Sequence, residues 1–446
     1  MMRRLYSLLI YCAVPFAFTV VLWRGLHNRH YWRGLGERFG RGRACDSPSI
    51  WVHAVSLGEM SAAAPLVRAL RARYPQNPLV LTTATPTGRA RAKDLFGDTA
   101  DVRFLPYDMP HSVARFLDRV QPRIAIIMET ELWPNLFAEC ERRGVPLVLV
   151  NARLSAKSVS RYLRFGSIFR ALFTRNLSIA AQTPEDAERF IAIGAAAAQV
   201  HVAGNIKFDL ELSGALQNQG RKLRTAFGDA RPTWIAGSTH DGEETMVLDA
   251  HETLRTEWLV TSRQPILLLL APRHPARFES VAEMLTQRGI TFVRRSAGAP
   301  TGSTASDAAS VLLVDTVGEL AALYAAADVA FVGGSLVPVG GHNLLEPAAL
   351  GLPVLTGPYN SNGKDIARLL IQQGAAEQVI DARELAKAVS RLLADPLERA
   401  RVGATAKGIV ENNRGSVARV MELIAPLLAD PQRVEPQRAA APAAEH

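Results

Sequence analysis

Short apolar, β-branched runs, each giving way to a stretch of helical period, recur in two series along this 446-residue chain, and that alternation limits the folds open to it. From Ile50 to about Asp209 the runs are SIWVHAVS, PLVLTTATP, VRFLPYD, RIAIIMET, PLVLVNARL, LSIAAQTP and VHVAGN, with helix-period segments such as 61–73, 111–120 and 135–143 between them. The series restarts after residue 231 as TWIAGST, PILLLLAPRH, TFVRRS, VLLVDT, VAFVGGS, PVLTGP and AEQVI. Strands that are apolar throughout and alternate with helices predict parallel sheets covered on both faces. The expected class is therefore α/β, with two doubly wound, Rossmann-like domains of similar size facing a cleft. The first domain is read over 44–212, a polar linker with a helical piece over 213–231, and the second domain over 232–430. Residues 297–310 are rich in Gly, Ser and Ala and read as a mobile loop, and the Pro/Ala tail 431–446 as disordered.

Hydrophobic residues at 48% and charged residues at 21% exclude a disordered chain and a transporter with many apolar spans. The net charge of +9 points at first to an acidic partner, but its location changes its meaning. Residues 1–43 hold eight arginines against Glu37 alone, a net +7, which leaves +2 for the rest of the chain. No broad basic face remains for nucleic acid. Within that basic stretch, Leu5 to Trp23 is a 19-residue run without a charge, interrupted only by Pro15. A helix of that length crosses roughly 30 Å of hydrocarbon. No small-residue cleavage pattern follows it, so it reads as a retained anchor, 1–43 being the anchor and its basic flank. Two arginines precede the run and six follow, which places the bulk of the protein on the cytoplasmic side. The competing reading is an amphipathic helix lying on the surface. Three cysteines without a C-x-x-C pair make neither a disulfide framework nor a zinc site.

Ligands of doubly wound sheets bind beyond the carboxyl ends of the strands, so the residues there carry the functional expectations. Glu59 follows the first strand at a strand-to-helix turn, where a carboxylate can take a proton from an attacking hydroxyl. Ser56-x-x-Glu59 is equally a capping box, and the helix dipole would then hold Glu59 ionised with a rather low pKa. After the fourth strand come Glu129 and Glu131; Glu131, nearer Pro134, fits a first-turn acid, which leaves Glu129 as the candidate. Lys207, in Gly204-Asn205-Ile206-Lys207-Phe208-Asp209, can neutralise a carboxylate or phosphate. In the second half, Arg273 between Pro272 and Pro275 is a fork-shaped anion ligand on a stiffened loop. Asp315-Thr316-Val317-Gly318-Glu319 begins another helix. The glycine pairs Gly333-Gly334 and Gly340-Gly341 allow close backbone approach, and Asn343 is expected to cap a helix whose free N–H groups hold a phosphate. Glu346, one turn in, can reach a ribose hydroxyl pair. No P-loop, G-x-G-x-x-G, D-x-D or H-E-x-x-H pattern occurs, so neither a metal nor a cofactor is expected, and Arg273, Lys207 and the helix terminus after Asn343 would stabilise a departing phosphate.

Together these residues resemble a known family, the membrane-anchored 3-deoxy-D-manno-octulosonic acid (Kdo) transferases of lipopolysaccharide synthesis, glycosyltransferases of the GT-B fold. The likeness rests on Leu35-Gly36-Glu37-Arg38, HAVSLGE, TPTG at Thr85 to Gly88, LPYD, METELWPN, NARLS, the G-N-x-K-F-D element, STHDGEE, PRHP, VGGS and GGHNLLEP, from the anchor to about residue 425. It implies transfer of Kdo from CMP-Kdo to the lipid A precursor lipid IVA at the cytoplasmic side of the inner membrane. By the same resemblance Glu59 matches the catalytic base, and Glu129 and Lys207 the transition-state stabilisers. Pro272, Arg273, Val317, Gly318, Glu319, Asn343, Leu344, Leu345 and Glu346 match CMP-binding stretches, with Val317 standing where many members carry Met. The alternative is another GT-B enzyme, one using a different nucleotide sugar such as a UDP-sugar on a lipid acceptor; a membrane-tethered scaffold of the same shape is the reading without catalysis.

Overall fold

The computed structural model describes residues 2–27, 29, 32–164, 172–210, 212–261, 265–297 and 309–429. Most of the expected loop 297–310 and all of the tail 431–446 lie outside the described residues. The chain divides into two compact units, residues 1–209 with 414–446, and residues 210–413.

Each unit is built on a parallel seven-stranded sheet. In the first, β1 (Ser49–His53), β2 (Leu79–Thr83), β3 (Asp101–Phe104), β4 (Pro122–Met128), β5 (Leu147–Ala152), β6 (Leu177–Ala181) and β7 (Val200–Val202) stand in the order β3-β2-β1-β4-β5-β6-β7. In the second, β8 (Thr233–Thr239), β9 (Leu267–Pro272), β10 (Phe292–Arg294), β11 (Val311–Leu313), β12 (Val329–Val332), β13 (Val354–Thr356) and β14 (Ala376–Gln378) stand in the order β10-β11-β9-β8-β12-β13-β14. The apolar runs met along the sequence become strands because both faces are covered. Val52, Leu81 and Ile126 bury into one layer of the first unit, while Trp51, Val80 and Ile127 bury into the other. In such a sheet every strand delivers its carboxyl end to the same edge, so the loops that follow β1, β4 and β5, or β8, β9, β11 and β12, are gathered there.

Two boundaries differ from the expectation. The stretch 213–231 is not a linker: helix Gly214–Phe227 packs into the second unit through Gly220, Leu223 and Phe227. Its sequence looks polar because a single stripe is buried; a Cβ at Gly220 would lie 2.4 Å from that of Ala325, and Arg224 pairs with Asp328 at 2.9 Å. At the far end the chain returns to the first unit, because helix Ser416–Ala429 places Val420, Ile424 and Leu428 in its core beside Ile50 and Ile124. The Asp209 carboxylate accepts the Gly415 N–H at 2.6 Å and also the Val417 N–H, and Arg419 donates to the Ala203 carbonyl at 2.8 Å.

The N-terminal run forms one helix, Met2–His27, with Pro15 inside it. Among the described residues it is the one helix long and apolar enough to cross a membrane. One of its faces lies along the first unit. Ser7 donates to the Asn135 side chain at 2.9 Å, Tyr11 bonds His111 at 2.7 Å, Val14 is buried, and Phe18 meets Phe39 edge-on with centroids 5.5 Å apart. Leu5, Leu9, Phe16, Trp23 and Leu26 are exposed.

The returning helix yields a direct test. Ile424 is fully buried in the first unit's core, so Ile424→Ala should cost that unit about 2–5 kcal/mol in chemical denaturation. An unchanged midpoint would mean that the helix adds nothing to that core.

Candidate active site

In the first unit, helix Leu57–Arg73 begins one residue after the cap Ser56, and Glu59 stands in its first turn. The capping role expected of Glu59 is met in its geometry. The Ser56 hydroxyl accepts the Glu59 N–H at 3.3 Å and donates to Glu59 Oε1 at 3.1 Å, while Oε2 accepts the Val55 N–H at 2.9 Å. The cap orients the carboxylate without neutralising it. Its pKa is not lowered as the dipole argument expected: burial raises it and the Glu129 charge adds to this, against the opposing pull of Val55, Ser56 and Lys207. A carboxylate with a raised pKa is the stronger base when ionised.

Glu129 follows β4 in a left-handed conformation, φ 57°, which a bulky residue adopts at a cost, with its N–H held by the Val150 carbonyl at 2.8 Å. Its side chain stands between two cations, Lys207 Nζ at 3.8 Å and Arg153 Nε at 3.5 Å. Lys207 is placed by a short turn, Ile206–Phe208. Asn205 accepts the Lys207 N–H at 3.0 Å, and buried Asn151, also left-handed at φ 58°, accepts that of Ile206 at 3.2 Å. Glu59, Glu129 and Lys207, separated by up to 148 positions in sequence, thus share one electrostatic site.

Glu131 was misjudged. Rather than an ordinary first-turn acid, it feels the charges of both Glu59 and Glu129, and burial together with these pushes its pKa up to about 7. The capping role falls instead to Asp108, which was no candidate: its carboxylate accepts the N–H groups of Asn135 at 3.0 Å and Leu136 at 2.8 Å at the start of helix Pro134–Arg142. Arg153 was missed as well, although it follows β5 at the same sheet edge. Acids placed just after a strand were the available signal for Glu131; for Arg153 only the parallel order of β4 and β5 supplies one.

In the second unit Pro272 closes β9, and Arg273 donates its N–H to the Thr239 carbonyl at 2.9 Å. The Arg273 guanidinium is exposed, has no ion pair among the described residues, and exerts its charge on Glu346. Gly318 turns at φ 94°; Glu319 accepts from Thr316 at 2.6 Å and Arg295 at 2.7 Å, and although burial opposes it, these partners hold its pKa low. Val317 is 78% exposed. Asn343 stands one residue before the N-cap, which is Leu344; its side chain accepts the Leu345 N–H at 3.1 Å and donates to Glu346 Oε1 at 3.1 Å. The helix that follows, Leu345–Ala349, is only five residues long, because Gly351 at φ 79° closes the turn after it. So short a helix carries little dipole, and the expectation of a phosphate seat at its terminus is corrected. Leu344 and Leu345 are core side chains and offer a ligand only their backbone. Glu243, another unforeseen residue, is fully buried and accepts the N–H groups of His240, Gly334, Ser335 and Leu336 at 2.7–3.2 Å, which fixes the first glycine pair. Among the described residues no group of three His, Cys, Asp or Glu is spaced to hold a metal ion.

Residues 33–210 match a family described as 3-deoxy-D-manno-octulosonic-acid transferase (kdotransferase), and 306–409 match glycosyl transferases group 1. The 3-deoxy-D-manno-octulosonic acid transferase of Haemophilus influenzae is 39% identical over 432 residues, covering 96% of this chain and 99% of its own. The chain belongs to the Kdo transferase family. The Bordetella pertussis transferase of the same description is 41% identical over 396 residues, 87% of this chain and 90% of its own. A solved UDP-GlcNAc 2-epimerase from Neisseria meningitidis, 12% identical, superposes with a TM-score of 0.55 over 85% of this chain and 100% of its own, which shows a shared fold alone. This Kdo transferase family member is a glycosyltransferase of two parallel α/β sheets in the GT-B class.

The Glu131 environment has a consequence for stability. A carboxyl whose folded pKa rises from 4.5 to about 7 makes the native state hold more protons than the unfolded chain between those values. Stability contributed by the protonated form is complete below pH 4.5 and is lost as pH rises through about 7. Glu131→Gln should therefore melt at a higher temperature than the wild type at pH 8, with the gap closing at acid pH. Parallel melting curves at all pH values would refute the placement of Glu131 beside the other two acids.

Proposed function

We propose that the protein transfers Kdo from CMP-Kdo to lipid IVA, with inversion and without a metal, the first unit binding the acceptor and the second the donor. Membership of the Kdo transferase family supports the sugar and the reaction class. The observation that carries the mechanism is the grouping of Glu59, Glu129 and Lys207 in one half-buried site of the first unit.

In this reading an ionised Glu59, aimed by Ser56 and Val55, takes the proton of the acceptor's sugar hydroxyl as that oxygen forms its bond to the anomeric carbon of Kdo. The bond from that carbon to the phosphate oxygen breaks, and CMP leaves with the electron pair. Glu129 and Lys207 stabilise charge that develops at the reacting sugar, and Arg153, 3.5 Å from the Glu129 carboxylate, helps hold it in place. In the second unit Arg273 meets the donor phosphate, the backbone of Val317-Gly318-Glu319 and Asn343-Leu344-Leu345 lines the nucleotide, and Glu346 reaches the ribose hydroxyls.

The acceptor is a lipid, and the N-terminal helix suits that. Its exposed Leu5, Leu9, Phe16, Trp23 and Leu26 can enter the inner membrane from the cytoplasmic side while Ser7, Tyr11, Val14 and Phe18 stay on the protein. The arginines around the helix suit anionic headgroups and the phosphates of the acceptor, each surface contact contributing about 1 kcal/mol.

Removal of one preorganised electrostatic group costs roughly 10²- to 10³-fold in rate. Glu59→Ala and Arg273→Ala should each lose at least about that much Kdo transfer to lipid IVA, read by product mass, while remaining folded and membrane-bound. Near-wild-type turnover by Glu59→Ala would remove it as the base. CMP, and not UDP, should raise the melting temperature; stabilisation by UDP alone would favour a different nucleotide sugar.

A further inference from the structure

The second unit holds three imidazoles at the functional edge of its sheet that the mechanism above leaves unused. His240 follows β8, His274 follows β9, and His342 follows the second glycine pair beyond β12. His240 and His342 meet Nε2 to Nε2 at 2.8 Å, their ring planes parallel to within 8°. His274 stands edge-on to His240 with centroids 5.2 Å apart. Gly334 makes room for the pair: a Cβ there would lie 2.9 Å from Cδ2 of His342 and 3.4 Å from Cδ2 of His240.

A hydrogen bond between two Nε2 atoms restricts the tautomers. One ring carries the shared proton on Nε2, and the accepting neutral ring must then hold its own proton on Nδ1. The neutral pair therefore presents one Nδ1–H donor and one bare Nδ1. A single added proton turns the bare nitrogen into a second donor and leaves the Nε2 contact intact. Among the described residues neither Nδ1 has a hydrogen-bond partner.

The surroundings keep the pair neutral until an anion arrives. Burial lowers the pKa of His240 and takes that of His342 down to about 4, and the charges of Arg273 and His274 add to this for both rings, that of Arg277 for His240. The nearby acids are engaged elsewhere. Asp241 and Glu244 pair with Arg277 at 2.9 and 3.2 Å, Glu243 is turned to backbone N–H groups, and Glu346 takes the Asn343 amide. An anion beside Arg273 would supply the negative charge that the pair lacks.

We propose that His240 and His342 form a proton-coupled phosphate site: the phosphate of the cytidine nucleotide binds beside Arg273, and the pair takes up a proton from solvent as it binds and releases it when CMP leaves. The inference rests on the donor reading above and adds to it two binding residues and a proton. The incoming proton turns the bare Nδ1 into a donor, so that the ring facing the phosphate offers it an N–H, and it gives the leaving group a cationic neighbour.

Calorimetric titration of the full-length protein in detergent, at pH 6.5 in buffers of different ionisation enthalpy, tests it. The probes are CMP, its phosphate methyl ester, which cannot itself take up a proton near neutrality, and cytidine. The methyl ester should bind the wild type with uptake of about one proton and an affinity that falls up to about tenfold per pH unit as pH rises. Cytidine should bind without uptake, and His342→Gln and His240→Gln should each bind the ester more weakly and with a flat pH dependence. If His342→Gln does not fold, the more exposed His240→Gln carries the same comparison. Ester binding by the wild type without proton uptake, or uptake that persists in the variants, overturns the proposal and leaves the donor reading standing. Failure of the wild type to bind CMP at all overturns both.

Discussion

Carboxylates that accept backbone N–H groups, Glu243 and Asp108 buried and Asp209 half-buried, hold this molecule's functional loops in place. Glu243 takes four such groups and fixes the glycine loop after β12; Asp108 takes two and starts the helix after the Glu129 loop; Asp209 takes two and starts the helix that returns to the first unit. A parallel sheet brings its strand ends to one edge but leaves the loops beyond them without ladder partners. A carboxylate has lone pairs for several N–H groups at once, and charge-assisted bonds of this kind are stronger than neutral ones. Loss of one would leave several buried donors unpaired together, which costs more than the bonds themselves contribute.

The same chemistry, used differently, makes the proposed catalytic site of the first unit. Three acids, Glu59, Glu129 and Glu131, face two cations, Lys207 and Arg153, so full ionisation of all three leaves an excess of negative charge in a half-buried place. Burial first, and the neighbouring carboxylate charges after it, raise the pKa values of Glu59 and Glu131. In the proposed role that would make Glu59 a better base than an exposed capping residue. The left-handed backbone at Glu129 and Asn151 fits a site whose loops are held by their surroundings and not by local preference.

Much of the fold was legible in the sequence because apolar runs of strand length alternating with helices have few packings. All fourteen runs named became strands of two parallel sheets. Where the reading failed, the cause was burial confined to one stripe. Helix Gly214–Phe227 looked like a linker because only Gly220, Leu223 and Phe227 face inward, and helix Ser416–Ala429 was assigned by chain order although its apolar face belongs to the first sheet. The candidate residues were legible as acids and bases that follow strands. Their partners were not: Glu131 was set aside for its place near a proline, and Arg153, Asp108 and Glu243 lie on other strands or loops that only packing brings near.

Composition and order along the chain thus determined the α/β class, the apolar N-terminal helix with its arginines, and the residue types available at the strand ends. These follow from periodicity and charge, which are local. Tertiary structure decided which carboxylates have a raised pKa and which cap a helix, and which imidazoles meet. Those properties depend on desolvation and on charges a few ångströms away, and the nearest charges to Glu59, Glu129 and His342 come from residues distant in sequence.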